Sequence, residues 1–110
     1  MNNTLENNNL KIANEIRKQI MHLDFWALAG WGATDVSEHY RAVENGLAFK
    51  ISTPRYQRGA WVKVVLNAMD TYNIEVLRII GTEKKILGNL DDIYAEQLVE
   101  VIDSLIENKK

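Results

Sequence analysis

Ile12, Ile16, Ile20 and Leu23 recur at i, i+4, i+8 and i+11, one face of an α-helix, and predict an amphipathic helix ending near Leu23. Leu5 lies on the same stripe, so Thr4 or Asn9 is the candidate cap. The run Asn7-Asn8-Asn9 competes with its own backbone for hydrogen bonds, which favours a cap or a frayed start over a helix interior. Phe25 to Ala29 is a short apolar run and reads as a strand. Gly30-Trp31-Gly32-Ala33-Thr34-Asp35 then breaks it into a loop.

Period-two alternation takes over in the middle of the chain. Asn45-Gly46 between two alternating runs predicts a type I′ hairpin with positive φ at both residues. That turn pairs Glu44 with Leu47, Val43 with Ala48, Ala42 with Phe49, Arg41 with Lys50 and Tyr40 with Ile51. Tyr40, Ala42, Leu47, Phe49 and Ile51 then share one face, and Arg41, Val43, Ala48 and Lys50 the other. Pro54 ends the second strand. A second hairpin runs from about Ala60 to Asn67 and from Tyr72 to Ile80, turning at Ala68-Met69-Asp70-Thr71. Its register sets Leu66 against Tyr72, Val64 against Ile74 and Val62 against Val76 on an inward face. Lys63 opposes Glu75 on the other face, a favourable cross-strand pair, with Trp61 opposite Leu77.

Lys84 to Leu87, bracketed by Gly81 and Gly88, adds a small strand, and Asn89 or Asp91 is placed to cap a final helix. In that helix Leu98, Val101, Ile102 and Leu105 form an apolar stripe, and Asp92, Glu96, Glu100, Asp103 and Glu107 an acidic one. The expected architecture is α+β: an N-terminal helix, an antiparallel meander of four to five strands, and a C-terminal helix, with both helices on one face of the sheet.

With 110 residues, the chain is sized for a single domain, 1–110, able to bury about two-thirds of its unfolded surface. It has no cysteine, which excludes disulfides, thiol catalysis and thiolate metal sites. Neither a long apolar run nor a signal-peptide pattern is present, so the expected location is cytoplasmic. Net charge is −2, but unevenly spread: residues 50–63 carry +4 and residues 89–110 carry −4. Lys50, Arg55, Tyr56, Arg58 and Lys63 combine cations with an aromatic, as phosphate-binding surfaces do, although a solvated loop has the same composition.

Little points to catalysis. His22 and His39 lack metal-ligand neighbours, capping explains Asp91-Asp92, and no phosphate-binding glycine motif occurs. No acid, base and nucleophile can be named together, so no enzyme, cofactor or metal is expected. The outward face of the second hairpin is more informative. Trp61, Val65, Leu77 and Ile79 make it apolar where water alone calls for polar residues, and tryptophan is enriched among interface anchors. That face is either covered by the chain itself or reserved for a partner or a second copy.

Asn45-Gly46-Leu47, Phe49-Lys50, Pro54-Arg55, Val62-Lys63, Leu66-Asn67, Asp70, Tyr72, Glu75, Arg78-Ile79, Gly81 and Tyr94-Ala95 resemble a pattern in small hypothetical proteins of phages, prophages and conjugative elements. The resemblance covers about residues 42–97. It departs at Trp31 to Arg41, a longer stretch here, and in the length of the 52–60 loop. It implies a shared fold and an accessory role in a mobile element, counter-defence binding included. The sequence reading is thus a small non-enzymatic protein that binds a protein partner or itself, with nucleic-acid or nucleotide binding through residues 50–63 as the alternative.

Overall fold

A computed structural model describes residues 3–33, 40–52 and 59–106, with side chains from residue 8 onward. Helix α1 (Asn3–Leu23) is followed by a single helical turn, α2 (Ala27–Gly30). Five strands follow: β1 (Tyr40–Val43), β2 (Gly46–Ile51), β3 (Ala60–Leu66), β4 (Tyr72–Ile80) and β5 (Glu83–Ile93). A 3-10 turn (Ala95–Gln97) leads into α3 (Leu98–Ile106). The sheet is an antiparallel meander in the order β1-β2-β3-β4-β5, and the domain is α+β.

The period-two pattern works as a sorting device. Leu47, Phe49 and Ile51 of β2, Val62 and Val64 of β3 and Tyr72, Ile74 and Val76 of β4 point to one side and are buried. They join Ala13, Ile16 and Ile20 of α1 and Leu98, Ile102 and Ile106 of α3 in one core. The deepest line of α1 runs through Ala13 rather than Ile12, and Leu23 stays exposed. Phe49 is fully buried at the centre, with Trp31 stacked at 6.1 Å and Tyr40 tilted at 6.3 Å. Trp31 ties the layers together, because its indole N–H donates to Asp103 of α3 at 3.1 Å.

Four local expectations need correction. Phe25 to Ala29 is not a strand. Asp24 Oδ1 accepts the Trp26 N–H and the Asp24 carbonyl accepts the Ala27 N–H, starting a helical turn instead. A five-residue apolar run carries too few periods to separate the two states.

The asparagine run lies inside α1, where Asn9 Oδ1 accepts the Asn45 N–H at 3.0 Å. Asn9 therefore caps the hairpin turn across the structure and not its own helix.

The first hairpin pairs Tyr40 with Phe49, Arg41 with Ala48, Ala42 with Leu47 and Val43 with Gly46. Its loop is Glu44-Asn45, one residue earlier than expected. Only Asn45 has positive φ, 58°, so the turn is not type I′. Moving the loop by one residue shifts the register by two, so every side chain keeps its face.

Finally, β5 has eleven residues and takes in Asn89, Asp91 and Asp92, so neither Asn89 nor Asp91 caps α3. Gln97 Oε1 accepts the Tyr94 N–H, and the Tyr94 carbonyl accepts the Gln97 N–H. The β4–β5 register slips twice: Leu87 has no partner, and Asp91 and Asp92 together oppose Asn73.

The second hairpin has the predicted register throughout, from Trp61 with Leu77 to Leu66 with Tyr72. Asn67 holds its turn. Its Oδ1 accepts the N–H groups of Met69 and Thr71 and the Thr71 hydroxyl, while its Nδ2 donates to Asn73 Oδ1 and Asp92 Oδ1. Asn67→Ala removes the acceptor of the Met69 and Thr71 backbone N–H groups and should lower stability by about 2 kcal/mol. Chemical denaturation measures the loss.

Tyr72 supplies a pH-dependent contact. Its hydroxyl donates to Gln19 Oε1 at 3.0 Å. Burial raises the phenol above its ordinary 10.0, and Glu15 and Asp70 push the same way against the Gln19 bond. The folded value exceeds the unfolded one, so this contribution is complete below pH 10.0 and is lost as pH rises through the folded value. Melting curves from about pH 9 to 11.5 should show a steeper alkaline decline for the wild type than for Tyr72→Phe.

Candidate interaction face

The helices cover one side of the sheet, and the alternation that fills the core sends the remaining side chains to the other. Two cross-strand rows form there. Lys50, Trp61, Leu77 and Ile86 stand side by side on β2 to β5, and Arg41, Ala48, Lys63, Glu75 and Asn89 run in parallel from β1 to β5. The residues expected on outward faces of two separate hairpins thus occupy one surface, because β2 pairs with β3.

Trp61 is half-buried, and the Arg41 guanidinium lies 5.5 Å from its ring centroid. Leu77 is only 6% exposed although it lies outside the main core, so neighbouring side chains on the open face shelter it. Ile79 is 57% exposed. Trp61, Leu77 and Ile79 line a groove of about 420 Å³ together with Arg41, Val43, Ala48, Lys63 and Lys84. Its floor is apolar and its cations sit on the rim. Val65 is set apart: it lines a neighbouring hollow with Lys63, Asn73, Glu75, Asn89 and Asp91.

Of the residues proposed for anion binding, Lys50 and Lys63 lie on this same face, and Arg55, Tyr56 and Arg58 fall outside the described residues. Lys63 stands opposite Glu75 in the ladder, and Glu75 Oε1 lies 3.5 Å from Lys84 Nζ. Lys50 is placed differently. With Gly59, Trp61, Arg78, Ile79 and Ile80 it lines a second hollow of about 310 Å³, on which Trp61 and Ile79 also border. Arg78, Arg41 and Lys84 were not singled out as site residues from sequence. Cross-strand pairing brings Arg41 and Lys84 to this face, and no linear spacing reveals it, whereas Arg78 shares the β4 parity of Ile74 and Val76.

No family model, curated protein or solved structure matches the chain. The chemistry must therefore be judged from the residues themselves. Asp91 and Asp92 form no acid–base pair, since Asp92 adopts φ 60° and its carboxylate accepts from Asn67 and the Thr71 hydroxyl. Among the described residues no three acidic or histidine side chains gather to hold a metal, and no helix is long and apolar enough to cross a membrane.

Proposed function

We propose that this protein is a non-enzymatic binding module whose working surface is the open face of the sheet, and that its partner is another protein. One observation carries the reading: an apolar groove centred on half-buried Trp61, rimmed by cations, on the side of the sheet away from both helices. A desolvated aromatic anchor inside a polar rim is the usual anatomy of a protein-binding patch. A second copy of the chain fits the face less well, because face-to-face contact sets Arg41, Lys50, Lys63 and Lys84 against their own equivalents. In this reading the resemblance of residues 42–97 to phage and mobile-element proteins suits an accessory role. The nucleic-acid reading draws on Lys50 and Lys63 flanking Trp61, but among the described residues this face carries one aromatic side chain.

Trp61→Ala and Ile79→Asp test the proposal, with Met69→Asp on the exposed β3–β4 turn as control. Tagged wild type and control should retain the same host proteins from lysate, and the two face variants should lose them while melting as cooperatively as the wild type. Retention of the same proteins by folded face variants would refute it.

A further inference from the structure

Asn45 is the one asparagine in the sequence that precedes a glycine. Asparagine is a thermolabile residue, and a following glycine has no side chain to keep its nitrogen from attacking the asparagine side-chain carbonyl carbon. Asn45 is exposed, and among the described residues its side-chain amide makes no hydrogen bond. Its backbone, by contrast, is held from two sides. The N–H donates to Asn9 Oδ1 of α1 at 3.0 Å, and the carbonyl accepts the Leu66 N–H of β3 at 2.8 Å.

The backbone angle decides what this clamp does. With φ at 58°, Asn45 occupies the left-handed region, which crowds Cβ against the carbonyl oxygen that follows it. The Gly46 nitrogen, on the opposite side of that carbonyl carbon, then points away from the Asn45 side chain. Ring closure requires turning the Asn45–Gly46 peptide plane by roughly half a turn from this region. That rotation swings the carbonyl out of its bond with Leu66 and pulls Gly46 from its places opposite Val43 and Val65.

We propose that Asn45-Gly46 is a deamidation site kept shut by the folded turn and opened when the first hairpin lifts away from Asn9 and Leu66. On opening, the Gly46 nitrogen bonds to Asn45 Cγ, and the side-chain nitrogen leaves as ammonia, taking the proton of the Gly46 N–H. One water then adds to the cyclic imide and breaks either ring C–N bond. Breaking Cγ–N leaves aspartate at position 45. Breaking the other leaves isoaspartate, whose main chain runs through Cγ and is one carbon longer. Gly46 lies against the β3 backbone at the end of a two-residue loop, so the longer chain cannot restore the ladder. Each opening that ends in reaction is recorded as a new negative charge and a weakened hairpin.

Folded wild type, Asn9→Ala and Asn67→Ala are incubated in mildly alkaline buffer beside urea-unfolded wild type. Mass spectrometry of the proteolytic peptide containing Asn45 follows the exchange of NH2 for OH, and isoaspartyl methyltransferase labelling counts the isoaspartate. Folded wild type should react at least roughly tenfold more slowly than unfolded. Asn9→Ala should react about fivefold faster than folded wild type, the population change for one lost hydrogen bond, even though alanine favours helix α1. Asn67→Ala weakens the other hairpin's turn and should leave the rate unchanged. Equal rates in folded and unfolded wild type would overturn the inference, as would an Asn9→Ala rate equal to that of the wild type. Equal acceleration by Asn9→Ala and Asn67→Ala would also overturn it, because global unfolding and not the turn would then expose the site.

Discussion

Gly46→Ala should destabilise the domain by about 3 kcal/mol or more, well beyond the ordinary cost of a larger residue in a packed site. A Cβ at this position would lie 2.1 Å from the Val64 carbonyl oxygen and 2.9 Å from Val65 Cα. Both are backbone atoms of β3, and Gly46 is paired with Val43 on one side and Val65 on the other. Neither neighbour can yield without disturbing the ladder. Strain from φ is not the cause, since it is Asn45 that adopts the left-handed backbone. Asn45→Ala should therefore cost only about 1 kcal/mol, the usual penalty for a side chain in that region, and Asn45→Gly less. Urea melts of the three variants decide the order. A Gly46→Ala protein as stable as Asn45→Ala would mean that β2 and β3 do not approach as described.

Phe49→Ala should be comparably severe, about 3–5 kcal/mol, because a fully buried ring leaves a cavity that its neighbours only partly fill. Trp31 and Tyr40 both rest against Phe49, and each is tied elsewhere: the Trp31 indole to Asp103, the Tyr40 hydroxyl to the Ala33 carbonyl. Those bonds keep the two aromatics from collapsing into the space. A thermal melt should show a fall of about 15 °C or more, given several degrees per kcal/mol for a domain of this size. A drop of only a few degrees would show that the Trp31–Phe49 stack is not central to the core.

The parts of the fold that were readable in the sequence share a physical basis. The β3–β4 register followed from valine alternation and from setting Lys63 opposite Glu75, two constraints that agree on one alignment. In the first hairpin the faces were legible but the loop was not. Asn-Gly usually fills both central positions of its turn, and here Gly46 is reserved for the approach of β3. The extent of β5 escaped detection because Gly88 and Asp91-Asp92 look like breakers and caps, whereas they serve at irregular strand positions. At Gly88 an added Cβ would lie 3.5 Å from Leu105 of α3. Alternation was enough to place Trp61, Leu77 and Ile79 together on the outward face. The unity of that face was not legible, since it depends on the β2–β3 pairing, which no turn motif specifies.

The two register slips in β5 also bear on self-association in its least welcome form. Among the described residues β1 and β5 are the edge strands, and an eleven-residue edge strand is a long template for adding foreign strands or further copies of the chain. The bulge at Leu87 and the two-residue step at Asp91 and Asp92 break the even row of outward donors and acceptors, and Lys84 and Lys85 place adjacent charges along it. No straight strand can match such an edge over its full length. The irregularities that hid β5 from periodicity thus guard the sheet against growing sideways into aggregates.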